Sequence, residues 1–186
     1  MMDEATKQRL DQANKLIFVK RYKEAEELLE KLVQQPEQRQ NILVQLRRIE
    51  LATMLKSLDD LRQEFISFLK QNPEDVAAEI CLALVEQHGE MVSPTESITS
   101  YQNTIKNHGP NAAAYFGIAF SMEVQGNYDR AVYNYEQSIA QDPDWYPSYF
   151  GLSQVCYNKG DEKQGDHYFY LFEQASPYNV YGNFET

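Results

Sequence analysis

The sequence predicts an all-α chain of stacked antiparallel helix pairs, about five pairs and ten helices in all. Three observations carry that expectation. First, the last third of the chain matches itself when shifted by 34 residues. Tyr115-Phe116-Gly117 falls on Tyr149-Phe150-Gly151, Gly126 on Gly160, Pro143 on Pro177, Ile118 on Leu152 and Tyr135 on Phe169, without a gap. Second, apolar residues recur at i, i+3, i+4 and i+7, the spacing of one helix face, in segments closed by Gly or Pro. Third, no segment carries a competing strand signal. A fixed period of this length marks a repeat array, in which each pair buries its apolar face against its neighbours.

Residues 6–39 form the first pair, with Ala13, Leu16, Tyr22, Ala25, Leu29 and Leu32 inward and Pro36 closing it. Residues 41–74 form a degenerate second pair, with Leu58, Leu61, Phe65 and Phe68 inward and Pro73 at its end. Ser57 is placed to cap its second helix. Residues 75–110 form the least regular pair. Its first helix, Asp75 to His88, stops at Gly89 and an enlarged turn follows. Ser93-Pro94-Thr95-Glu96 then restarts a helix, with Ser93 as N-cap, Pro94 at the first helical position and Glu96 completing a capping box. That helix carries Ile98, Tyr101 and Ile105 inward.

Residues 112–145 form the clearest pair. Ala112 to Val124 places Tyr115, Ile118, Ala119 and Met122 on one face. Gly126 can take the left-handed conformation that ends a helix. Asn127 can cap the next one, which presents Ala131, Tyr135, Ser138 and Ile139 until Asp142-Pro143 stops it. So short a connection makes the two helices an antiparallel hairpin. Residues 146–179 repeat the plan with Tyr149, Leu152-Ser153, Gly160, Phe169 and Pro177. Gly165, in mid-helix, is expected to weaken the last helix by about 1 kcal/mol.

In residues 111–144, the slots Tyr115, Ile118-Ala119, Gly126-Asn127-Tyr128, Ala131, Tyr135 and Asp142-Pro143 together resemble the tetratricopeptide repeat (TPR). Arg21-Tyr22-Lys23-Glu24-Ala25 is similar to the Tyr-x-x-Ala part of the same pattern. Glu162 and Gly165 depart from it, standing where Tyr and Ala are usual. The resemblance implies a right-handed superhelical solenoid over residues 1–186, with a concave groove lined by the first helix of each pair. Carried onto this sequence, the lining positions are Leu10, Asn14, Ile17 and Phe18, then Leu43, Leu46 and Glu50, then Glu79, Ala83 and Glu86. Phe116, Phe120 and Glu123 follow, and then Phe150, Gln154 and Tyr157.

The resemblance further implies a non-enzymatic adaptor that binds a polypeptide segment. Phe116, Phe120 and Phe150, with Glu79, Glu86 and Glu123 beside them, suit a peptide with apolar anchors and basic flanks. The competing reading of Phe116 and Phe150 is simple packing between adjacent first helices. Some TPR co-chaperones hold a C-terminal carboxylate with Lys, Arg and Asn. Asn14 could stand for one member of that clamp. Val76, Glu79 and Ile80 occupy places where bases would be needed, so an acidic C-terminal peptide is not expected to bind tightly.

Composition narrows the function classes. With 28 acidic and 17 basic residues the net charge is −11, which argues against nucleic acid and against an anionic membrane surface. No apolar run approaches the roughly 18–20 residues needed to span a bilayer, and Met1 to Leu10 lacks an apolar signal core. Cys81 and Cys156 lie far apart in apolar stretches and read as free thiols of a cytoplasmic protein. His88, His108 and His167 stand alone, so no metal, cofactor or catalytic constellation is expected. Glu26-Glu27 and Asp59-Asp60 read as solvated helix faces.

The charge is unevenly spread. Thirteen of the 17 basic residues lie at or before Lys70 and twelve of the 13 tyrosines at or after Tyr101, so the C-terminal half is the aromatic and acidic one. After Pro177 an aromatic tail, residues 178–186, stands where a solenoid would place a polar capping helix. Three readings of that end stay open: a piece cut from a longer protein, a tail folded over the last pair, or oligomerisation through the uncapped end. Two rivals to the adaptor also stay open. One is a secretion-type TPR chaperone, and the other is a regulatory module of a longer multidomain enzyme.

Overall fold

The computed structural model describes residues 3–176, so the aromatic tail at 178–186 lies outside the described residues. Among those residues there are eleven α-helices and no strand. They are α1 (Glu4–Phe18), α2 (Tyr22–Val33), α3 (Pro36–Arg39), α4 (Ile42–Leu55), α5 (Leu58–Gln71), α6 (Val76–His88), α7 (Pro94–His108), α8 (Ala112–Val124), α9 (Tyr128–Gln141), α10 (Tyr146–Asn158) and α11 (Glu162–Ala175). Ten are the expected ones and α3 is extra. Pro36 does not simply close the first pair: it occupies the first position of a single helical turn, where its fixed φ and missing N–H cost nothing. Two compact units divide the chain. The first holds α1–α6 and the second α7–α11.

In the first unit α1 packs on α2, α2 on α4, and α4 on both α5 and α6. Leu10, Ala13, Ala25, Leu29, Leu32, Val44, Ile49, Ile80 and Leu84 are fully buried. The small side chains of Ala13 and Ala25 let α1 and α2 approach closely. A buried cation ties three helices together. Arg48 of α4 donates through Nε and Nη2 to Glu30 of α2 (2.9 and 2.6 Å), and through Nη1 and Nη2 to Glu64 of α5 (3.2 and 2.9 Å). Its remaining donor, on Nη1, goes to Gln45 Oε1 at 2.8 Å. All five guanidinium N–H groups are thereby used, which is the condition for tolerating a buried charge.

The second unit follows the 34-residue register closely. α7 packs on α8, α8 on α9, α9 on α10 and α10 on α11. The Tyr101 ring of α7 covers Gly117 of α8, and 34 residues later the Tyr135 ring of α9 covers Gly151 of α10. A Cβ on either glycine would lie 2.3 Å from the ring. Gly165 is the same device inside the last hairpin, because a Cβ there would lie 2.4 Å from the Tyr157 ring. It is therefore a packing requirement and not only a weak point of α11. Between α9 and its neighbours, Ser138 Oγ donates to the Ala112 carbonyl at 2.8 Å and Ser148 Oγ donates to Ser138 Oγ at 2.7 Å, all buried.

The turns repeat one backbone device. Lys20, Lys56, Glu90, Gly126 and Gly160 have φ of 61°, 58°, 52°, 71° and 78°, so each turn after α1, α4, α6, α8 and α10 contains one left-handed residue. The α6–α7 turn is the enlarged one, and Ser93 and Glu96 form the expected capping box there. Ser57 and Asn127 stand at N-cap positions, but their side chains make no capping bond. Their ψ values are 20° and 67° against the extended backbone common at an N-cap, although Asp161 caps α11 at a ψ of 74°. Asp3, Asn41, Asp75 and Asn111 have that backbone, and they do cap.

Candidate functional site

Two matching rows of side chains lie on the second unit. On α8, Phe116, Phe120 and Glu123 fall at i, i+4 and i+7. On α10, Phe150, Gln154 and Tyr157 fall at the same spacing, 34 residues further on. The two helices touch. Phe116 is half-buried, with its ring centroid 6.0 Å from those of Tyr135 and Trp145. Phe150 is 42% exposed and lies 5.2 Å from Phe172 of α11. Both rings therefore pack against second helices and the segment between pairs, while Phe150 keeps a large free surface. Phe120 and Gln154 are half-buried. Tyr157 is 37% exposed and donates to Asp166 Oδ1 at 2.7 Å.

Glu123 supplies the charge of this surface. The buried Tyr135 hydroxyl donates to its Oε2 at 2.8 Å. Burial raises the Glu123 carboxyl above its ordinary range, against the opposing pull of that hydrogen bond. Burial beside the same carboxylate pushes the Tyr135 phenol well up, so it stays a donor. The result is a half-buried carboxylate with one oxygen engaged, set among Phe116, Phe120 and Tyr135. Such a group can accept a hydrogen bond from a cation that shields it further from water.

The first unit treats its predicted positions differently. Leu10, Asn14, Leu46 and Ala83 are buried, at 0%, 5%, 3% and 7% exposure. They belong to the interior and not to a lining. The cause is packing: α6 is apolar around most of its circumference, and α4 is covered by α2, α5 and α6 together. Ile17 and Leu43 are half-buried. The carboxylates have partners within the chain, Glu50 with Arg47 at 2.5 Å and Glu86 with Arg62 at 2.7 Å. Glu79 is half-buried. Phe18 is 56% exposed, but it stands at the last turn of α1 beside the hairpin tip.

A cleft of about 240 Å³ in the first unit, floored by Arg48 and Leu51 and walled by Glu26, Glu30, Asp60 and Glu64, had no sequence signal. Its guanidinium is fully committed to α2, α4 and α5, so it acts as a clasp. Among the described residues no group of three or more His, Cys, Asp or Glu could hold a metal ion. Among the same residues no helix is long and apolar enough to cross a membrane. Burial raises the thiols of Cys81 and Cys156, which are unpaired.

Residues 113–144 match the family described as tetratricopeptide repeat. Among solved structures, PilW, titled a widely conserved type IV pilus biogenesis factor, is 20% identical with a TM-score of 0.55, over 94% of this chain and 79% of its own. A MamA protein is 17% identical with a TM-score of 0.50, over 100% of this chain and 98% of its own. MamA 41-end from Desulfovibrio magneticus RS-1 is 12% identical with a TM-score of 0.51, over 94% and 97%. At these identities the likeness is one of fold. No curated protein sequence matches the chain. Residues 113–144 are thus a tetratricopeptide repeat, and the chain has the all-α helix-hairpin fold of TPR proteins.

Proposed function

We propose that this chain is a protein-interaction module whose second unit holds a polypeptide segment across α8 and α10. The observation that carries this reading is the join of Phe116, Phe120 and the exposed Phe150 to the half-buried Glu123. Phe116 and Phe150 pack against second helices on one side, but Phe150 stays 42% exposed, and desolvated aromatic anchors dominate the energetics of interfaces. The segment it fits has apolar anchors spaced to reach both rows and a Lys or Arg opposite Glu123. The net charge of −11 supports a basic partner and speaks against nucleic acid. The two unpaired thiols support a reducing compartment such as the cytoplasm.

The test is selection from a random peptide library on the immobilised chain, followed by calorimetry. Selected peptides should carry two apolar anchors with Lys or Arg beside them. Phe120→Ala with Phe150→Ala should abolish binding, and Glu123→Gln should remove the preference for a basic flank. Acidic consensus peptides, or binding unmoved by these substitutions, would contradict the reading.

A further inference from the structure

Two hairpin tips of the first unit carry a feature that the packing of α1–α6 does not use. Lys20 and Lys56 hold the left-handed conformation that the second unit assigns to Gly126 and Gly160. For a residue with a side chain this conformation costs about 1–2 kcal/mol. Glycine would relieve it, so the strain points to a use for the side chain. Both lysines are exposed, as is Lys23, and none has an ion-pair partner among the described residues. Arg21 is exposed and paired with Glu24. Beside these cations stand Phe18, Val19 and Met54, exposed by 56%, 56% and 53%. The tips adjoin, because Leu55, next to Lys56, lines the same surface depression as Lys20, Arg21 and Lys23. Exposed apolar residues and lysines, with Glu24 beside them, thus stand at adjoining tips of a chain whose net charge is −11.

Exposed apolar residues gathered in one patch mark an interaction surface. The partner must offer apolar contacts and negative charge. The chain has such a surface itself: the α8–α10 face bears Phe120, Phe150 and Glu123, on a unit whose residues 90–176 include eleven acidic and four basic side chains. We infer that the basic tips of the first unit dock on the α8–α10 face of a second copy of this chain. This rests on the reading of that face as a polypeptide-docking surface. Two different patches meet, so the contact is heterologous and builds rings or open chains. An anionic bilayer is the rival occupant. It would attract the same lysines.

The test uses the full chain and two variants, K20G/K56G at the tips and F120A/F150A/E123Q on the face, in sedimentation velocity. Wild type should assemble as concentration rises at about 50 mM salt and return to monomer at about 500 mM, where surface charges are screened. Each variant alone should stay monomeric. Mixed, they should form a dimer and stop, because each keeps one competent surface. K20G/K56G should also melt at a higher temperature than wild type, which separates lost association from lost folding.

A wild type that stays monomeric at low salt overturns the inference, as does a K20G/K56G variant that assembles like wild type. Monomeric protein that sediments with phosphatidylserine vesicles through Lys20 and Lys56 overturns it in favour of the bilayer. If wild type is monomeric yet binds the library-selected peptides, only this inference fails. If a face variant still assembles and no peptide binds, the reading of the face fails as well.

Discussion

The Tyr135 ring of α9 lies directly over Gly151 of α10, so closely that a Cβ on the glycine would come within 2.3 Å of Cζ. This contact joins one hairpin to the next. Gly151→Ala should lower stability by about 1–3 kcal/mol, because an overfilled core must shift rings and backbone. Gly117→Ala, under Tyr101, should do the same. Urea unfolding followed by circular dichroism measures both. A wild-type midpoint in either variant would show that the rings can move aside freely.

Glycine at the strained turns should stabilise the chain. Lys20→Gly, Lys56→Gly and Glu90→Gly should each gain about 0.5–1 kcal/mol, since relief of the left-handed strain outweighs the added freedom of the unfolded chain. Thermal melts of the three single variants provide the check. A loss in any one would mean that its side chain makes stabilising contacts.

Removing the clasp should cost more than removing one of its acceptors. Arg48→Ala should lose about 2 kcal/mol, with its donors to Glu30, Glu64 and Gln45 gone. Glu30 and Glu64 are 49% and 38% exposed at their side chains, so their freed carboxylates regain water and limit the loss. Arg48→Lys should fall between wild type and Arg48→Ala, since an ammonium cannot span both carboxylates as the planar fork does. Equal stability of wild type and Arg48→Ala in urea would refute the role.

Glu123 gives a pH signature. Its folded-state pKa is raised by burial, so the folded state favours the protonated acid. Stability from this group is greatest below the ordinary carboxylate range and declines as pH rises through that range to the raised value. Glu123→Gln should therefore be more stable than wild type at neutral pH, and the difference should close on acidification. The same substitution should weaken a basic peptide. Stability profiles from pH 3 to 8 test the first statement, and calorimetry the second.

The helices of both units were legible in the sequence, and the long-range packing of the first unit was not. α8 and α9 run as expected, Ala112–Val124 and Tyr128–Gln141, because Gly126 and Pro143 punctuate strong helical periodicity. Interlocking of Tyr101 with Gly117 and Tyr135 with Gly151 explains why these residues recur at one offset. The first unit hid its logic in long-range terms. Nothing local tells that Arg48 meets Glu30 and Glu64 across three helices. The burial of Leu46 and Ala83 depends on α4 touching α6, which no single helix pattern reveals. Lys20 and Lys56 also escaped notice, since lysine is not a usual signal for a left-handed turn.

The Tyr–Gly interlock has a consequence for the gene. Suppose residues 112–145 were duplicated in tandem. Tyr135 of the first copy would then meet Gly117 of the second, and Tyr135 of the second would meet Gly151. Both junctions use a ring-on-glycine contact the molecule already makes. The number of hairpins in this part of the chain can therefore grow by unequal crossing-over in whole steps of 34 codons, with a ring set over a glycine at each junction.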